Sequence, residues 1–285
     1  MDDSVFDIDL TPNRGDCLSV RGVAREVSVF HEAPFVVTTQ QAISASCEDV
    51  VDIKLNSTAC PRYVGRIVRQ INTAASIPVW MVERLRRSGV RSIHPVVDIL
   101  NYVMLELGQP MHAFDMAKLS GGIVVRSANK GESIVLLDEK EIKLDACDLV
   151  IADNDSAIAI AGVMGGLASS VTNTTVDILL ESAYFEPIAL AKTARRLGLQ
   201  SEQCHDDQLP KQQSIALRYA RIERVLGVSI DREVVASNLL ALGMAVETME
   251  GGWTVTPPSF RSDMQLEIDL IEEVARLYRF DQIPL

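Results

Sequence analysis

The chain has 285 residues, 47% of them hydrophobic and 23% charged, which is ordinary globular composition and enough length for about two domains. That excludes a disordered tail, a collagen and a mucin stalk, and no apolar run approaches the ~20 residues that a membrane span needs. A net charge of −12 excludes a chain that holds nucleic acid by a basic surplus of its own, so any such attraction has to come from a partner or a further segment.

The acidic start Met1-Asp2-Asp3 is expected to be neither a signal nor a transit peptide. Asp7–Leu10 reads as the end of a strand, followed by a turn over 11–16 in which Asp16 caps a helix over Cys17–Phe30. Pro34 stops that helix, and Phe35–Cys47 reads as a linker. Strands are predicted at Val51–Leu55 and Tyr63–Val68, then helices at Pro78–Ser88 and His94–Leu107, the second ending at Gly108. Pro110–Asp115 reads as a loop. Short apolar runs separated by Gly, Asp or Asn predict strands at Ile123–Ser127, Ser133–Leu137, Glu141–Leu144 and Leu149–Ala152. Ala157–Val163 is a buried strand feeding Gly165-Gly166, and Thr175–Ala183 is another, with Glu181 near its end. Helices follow at Pro187–Leu197, Tyr219–Leu226 and Asp231–Leu242, with a short strand at Ile215–Leu217. A hairpin joins Ala245–Met249 to Trp253–Thr256, and Asp263–Tyr278 is an acidic, then apolar, helical region. Periodicity is lost between Gln200 and Lys211. The five cysteines stand singly with no CxxC, which predicts reduced thiols in a cytoplasmic protein rather than a disulfide framework or a zinc site.

Four stretches stand out in order: Thr11-Pro-Asn-Arg-Gly-Asp-Cys-Leu18, Gly108-Gln-Pro-Met-His-Ala-Phe-Asp115, Ala161-Gly-Val-Met-Gly-Gly166, and Phe260-Arg-Ser-Asp-Met264 running into Asp269-Leu-Ile-Glu-Glu-Val-Ala-Arg276. Together they resemble the β subunits of bacterial phenylalanyl-tRNA synthetases, over nearly the whole chain but only the middle of that subunit. The resemblance implies an α+β, multidomain fragment. Residues 1–38 would be the remnant of a small helical domain, 39–203 a mixed α/β tRNA-editing domain, and 209–285 a small DNA-binding-like domain. About 40 residues of the family pattern have no counterpart after Glu202.

The resemblance also implies a reaction. A pocket built for phenylalanine cannot strongly exclude an analogue that merely adds a hydroxyl, so a second site must recognise the hydroxyl and cut the ester. That site wants a buried acceptor, an apolar slot and polar groups around the ester carbonyl. Glu181, set among Ile178, Leu179, Leu180 and Ala183, is either that acceptor or a strand-end carboxylate facing water. His112 is either a structural, hydrogen-bonded histidine or, by resemblance, a pocket group able to position water. Arg91 is either a solvated basic helix end or, by resemblance, a contact to the terminal nucleotide or its phosphate. Gly165 serves either a turn needing positive φ or a close approach to backbone. Ser201 matches a pocket residue of the family, while Gln203 stands where the family has a small one. Asp269, Glu272 and Glu273 stand at i, i+3 and i+4, with Asp263 upstream. They are either acids favoured by a helix start or, by resemblance, ligands of a Mg²⁺ shared with an α subunit.

The implied activity is editing hydrolysis of Tyr-tRNA(Phe), with water as the attacking group. Phenylalanine aminoacylation, ATP and Mg²⁺ belong to the full α2β2 enzyme with tRNA(Phe), and no membrane is involved. The alternative is a non-catalytic scaffold fragment that binds the α subunit and tRNA only in the full assembly.

Overall fold

The computed structural model describes residues 4–31, 33–36, 41–199 and 213–283. They fall into two compact units, Met1–Asp7 with Gln41–Gln208, and Ile8–Gln40 with Leu209–Leu285. No helix among the described residues is long and apolar enough to cross a membrane.

The second unit opens at Ile8. Asp7–Leu10 is not a strand: it is irregular and largely exposed, and it joins none of the sheets among the described residues. Helix α1 (Val20–Phe30) starts later than its apolar spacing suggests, because Ser19 rather than Asp16 is the cap and accepts from the Gly22 N–H at 3.1 Å. Asp16 is taken instead by the Arg14 guanidinium, Nε at 3.0 Å.

The first unit contains β1 (Ile53–Leu55), β2 (Arg62–Val68), α2 (Val79–Arg87), α3 (Pro95–Leu107), β3 (His112–Asp115), β4 (Ile123–Ser127), β5 (Ser133–Val135), β6 (Glu141–Lys143), β7 (Leu149–Ala152), β8 (Ala157–Ile160), β9 (Met164–Gly165), β10 (Ile178–Tyr184) and α4 (Pro187–Leu197). Helix α3 forms because His94 is extended and its Nδ1 accepts from the Val96 N–H, Pro95 is preset for the first turn, and Gly108 closes the end in the left-handed region. A five-stranded sheet runs β1-β4-β7-β8-β9, with β1 parallel to β4 and the other pairs antiparallel. A second, antiparallel sheet runs β2-β10-β3. The predicted loop over Pro110–Asp115 is in fact the source of its edge strand β3: its register on β10 places Phe114 opposite Leu179, and both are buried.

The two sheets share one core. Phe114, Leu179 and Tyr63 from the smaller sheet meet Ile123, Val125, Ile151 and Ile158 from the larger. The reverse face of the smaller sheet, through Ala113 and Ile178, is covered by Val96 and Leu100 of α3. Burying the Val, Leu, Ile and Phe side chains among these contributes roughly 1.5–3 kcal/mol each.

In the second unit, β11 (Ile215–Arg218), α5 (Tyr219–Leu226), α6 (Arg232–Ala241), β12 (Ala245–Met249), β13 (Gly252–Thr256) and α7 (Glu267–Tyr278) follow. The sheet order is β11-β13-β12, all antiparallel. Leu217, Ile222, Val235, Leu239, Trp253, Val255 and Leu270 form its core, and Val29 of α1 packs against it. Of the segment expected to stand apart over 1–38, the part from Ile8 onward is therefore grouped with the C-terminal residues, and Met1–Asp7 with the first unit.

Candidate functional site

Period-two alternation decides what the β2-β10-β3 sheet shows the core. Glu181 pairs with Gly65 on one side and His112 on the other, so these residues share a face with Leu179, Ala183, Tyr63, Ile67 and Phe114. A carboxylate is thus carried into an apolar layer. Glu181 is 6% exposed, and burial pushes its pKa up to about 8. Of the two readings of Glu181, the water-facing strand end is excluded.

Opposite it, the His112 ring packs edge-on to Phe114 with centroids 4.6 Å apart. Its Nε2 is buried and has no hydrogen-bond partner among the described residues. Burial lowers its pKa to about 4, so the ring is neutral at physiological pH. Gly165 completes the arrangement. Its φ is not in the left-handed region, so a turn is not the reason for glycine here. A Cβ at this position would stand 2.5 Å from His112 Cε1 and 2.8 Å from Nε2. The missing side chain is the space the imidazole occupies, so glycine at 165 positions His112. A cleft of about 340 Å³, lined by Val51, Ile53, Gly65, Ile67 and Leu179 among others, opens beside Gly65, the cross-strand partner of Glu181.

The other sequence candidates lie apart from this cluster. Arg91 is exposed in the segment between α2 and α3 and joins none of the hydrogen bonds or ion pairs among the described residues. It leads into α3, whose Val96 and Leu100 cover the opposite face of the sheet from Glu181. Ser201 and Gln203 lie outside the described residues.

The proposed magnesium quartet is not a cluster. Glu272 is exposed while Glu273 is 3% exposed, although they are adjacent on α7. Glu273 is held by Arg261 at 2.9 Å and by Arg276. Arg261 also pairs with Asp263 at 2.8 Å. Asp269 accepts from the backbone N–H groups of Gln265 and Leu266 at 2.9 and 2.7 Å, closing the N-terminus of α7. Two acids are neutralised by arginines and a third is a helix cap, so the donor set as placed does not fit a divalent cation. Sequence spacing gave no sign of those arginine partners. Arg276 also binds Glu26 of α1 at 2.7 Å, and Glu26 binds Arg14 at 2.6 Å. The result is one alternating line of charge, Asp16–Arg14–Glu26–Arg276–Glu273–Arg261–Asp263, joining two of the sequence motifs.

Comparison with known proteins agrees with this layout. A family model for the B3/4 domain matches residues 59–208, and a model for the tRNA synthetase B5 domain matches 215–280. The phenylalanine–tRNA ligase beta subunit of Pseudoalteromonas translucida is 46% identical over 323 aligned positions, and that of Hahella chejuensis is 43% identical over 325. Both alignments cover 100% of this chain and 41% of the relative, so the chain spans about two fifths of their length. The first alignment exceeds the 285 residues of the chain by 38 positions, a difference of the size expected for the missing segment. A crystal structure of an N-terminal fragment of the phenylalanyl-tRNA synthetase beta subunit from Pyrococcus horikoshii superposes with a TM-score of 0.50 at 16% identity, covering 94% of this chain and 84% of that one. At that identity the likeness is one of fold. The chain belongs to the B3/4 domain family and carries, in order, the B3/4 and B5 domains of a phenylalanine–tRNA ligase beta subunit.

Proposed function

We propose that the first unit hydrolyses the ester joining tyrosine to tRNA(Phe), and that the whole subunit, with an α subunit in an α2β2 assembly and with ATP, charges that tRNA with phenylalanine in the cytoplasm. The observation that carries the editing reading is Glu181: a buried carboxyl in an apolar layer, without a hydrogen-bond partner among the described residues, beside a histidine whose buried Nε2 is likewise unpaired among them. Such groups are costly unless a ligand satisfies them. A tyrosyl side chain does so, its ring in the apolar layer and its hydroxyl donating to Glu181. A phenylalanyl side chain leaves the carboxyl unpaired, which is the basis of selection.

Water adds to the ester carbonyl, the bond to the ribose oxygen breaks, and a proton from the water ends on that oxygen. Neutral His112 keeps an acceptor nitrogen for a hydrogen bond from that water, and Arg91 meets the phosphate of the tRNA end. The Asp263, Asp269, Glu272 and Glu273 carboxylates enter no step.

The test is deacylation of preformed Tyr-tRNA(Phe) by this chain, with Phe-tRNA(Phe) as control and Glu181→Ala and Gly165→Val as variants. Selective hydrolysis of the tyrosyl ester is expected, with kcat/KM lowered on the order of 10- to 100-fold by Glu181→Ala. Gly165→Val is expected to lower it as well, by displacing His112. Equal enzymatic rates for the two esters, or an unaffected Glu181→Ala variant, would overturn the role of Glu181, and no hydrolysis above the spontaneous rate would favour the non-catalytic scaffold.

A further inference from the structure

A second hydroxyl group faces the same layer. Tyr63 pairs with Ala183 and Gly65 pairs with Glu181, so Tyr63 and Glu181 are diagonal neighbours on one face of adjacent strands. Diagonal neighbours lie about 7–8 Å apart at the backbone, within reach of two long side chains. The Tyr63 ring leans along its strand toward that diagonal: its Cε1 comes to 4.0 Å of where a Cβ on Gly65 would be. The ring packs against the shared core, yet its hydroxyl is buried without a hydrogen-bond partner among the described residues. Glu181 adds to the burial that holds the Tyr63 proton in place, which marks the two groups as electrostatic neighbours.

Among the described residues the buried phenol has no acceptor, the buried carboxyl has no donor, and the two do not pair with each other. A hydroxyl placed between them is both donor and acceptor, so it satisfies both. We propose that Tyr63 is the second recognition residue of this pocket: its O–H donates to the hydroxyl oxygen of the substrate's side chain while that hydroxyl donates to Glu181. The inference rests on the editing reading above and adds to it a two-point grip on a phenol. A substrate lacking the hydroxyl leaves two buried polar groups unpaired rather than one, which widens the discrimination.

Tyr63→Phe removes one oxygen and keeps the ring. The variant is expected to melt at the wild-type temperature or above, since the oxygen it loses has no partner to lose. Its kcat/KM for Tyr-tRNA(Phe) is expected to fall about tenfold, mainly through KM, with the slow Phe-tRNA(Phe) rate unchanged. A wild-type rate on the tyrosyl ester, or an equal fall on both esters, overturns the role of Tyr63 and leaves the editing reading standing. Should the wild-type chain cleave neither ester, calorimetric binding of L-tyrosinamide and L-phenylalaninamide decides the matter. A preference for the tyrosyl compound that Tyr63→Phe abolishes supports the two-point grip, and no preference overturns it.

Discussion

Glu273→Ala is expected to cost the second unit about 3–5 kcal/mol, because it breaks a buried ion pair and takes one of two counter-ions from a buried arginine. Arg261 is 3% exposed and donates to both Glu273 and Asp263. Removing Glu273 leaves Arg261 with one counter-ion and also frees one end of Arg276, which ties α7 to Glu26 of α1. Burial raises the pKa of Glu273, but hydrogen bonds from Arg261 and Arg276 outweigh it and hold the group below the ordinary value of 4.5. The folded state therefore prefers the ionised form. Its contribution is present above pH 4.5 and is lost as the pH falls through the lower folded value. Urea melts at pH 7 followed by Trp253 fluorescence check this, since Trp253 lies in the core of the same unit. A change below about 1 kcal/mol, the value of an exposed pair, would contradict it.

Glu181→Gln is expected to act in the opposite sense and on the first unit. The folded pKa of Glu181 is raised from 4.5 to about 8, so between those values the folded state holds a proton that the unfolded chain has lost. Stability from this group is complete below pH 4.5 and falls as the pH rises through 8. At pH 8.5 a native carboxylate sits unpaired among apolar side chains, and a neutral glutamine there is expected to be more stable by a few kcal/mol. At pH 5 the two proteins are expected to melt together. His112 works the other way, losing stability as the pH falls from 6.5 toward about 4, but it is present in both proteins and cancels in the difference. Parallel melting curves across pH 5 to 8.5 would contradict the buried, unpaired state of Glu181.

Much of this architecture is legible in the sequence where local chemistry decides it. Helix α4 runs from Pro187 to Leu197 and closes at Gly198 as the Pro-start and Gly-stop pattern predicts. Helix α5 and the β12–β13 hairpin also fall where apolar spacing and Gly251-Gly252 put them. The failures share one cause, in that partners distant in sequence override local signals. Asp16 looks like a cap, but Arg14 and Glu26 draw it into an ion line. Pro110–Asp115 looks like a loop, but the unpaired edge of β10 recruits it as a strand. The acids on and just before α7 look like a ligand set, but Arg261 neutralises two of them, Asp263 and Glu273, and Arg14 and Arg276 extend the line through Glu26.

Within the site, Glu181 is readable because its neighbours are apolar, and His112 and Gly165 because of the motifs that contain them. That Gly165 makes room for the imidazole emerges only once β9 is folded against β3. Tyr63 carries no sequence signal beyond alternation with Gly65 and Ile67. Its place beside Glu181 depends on the register between β2 and β10.

The most direct measurement is a titration of this chain with 3′-deoxy-3′-(L-tyrosylamino)adenosine, an uncleavable copy of a tyrosyl-tRNA end. The resonances to follow are the His112 Cε1 proton and the Glu181 carboxyl carbon. The account predicts that both shift together to saturation, and that the phenylalanyl counterpart binds at least about tenfold more weakly. Shifts that leave Glu181 and His112 untouched, or equal affinity for the two compounds, would contradict it.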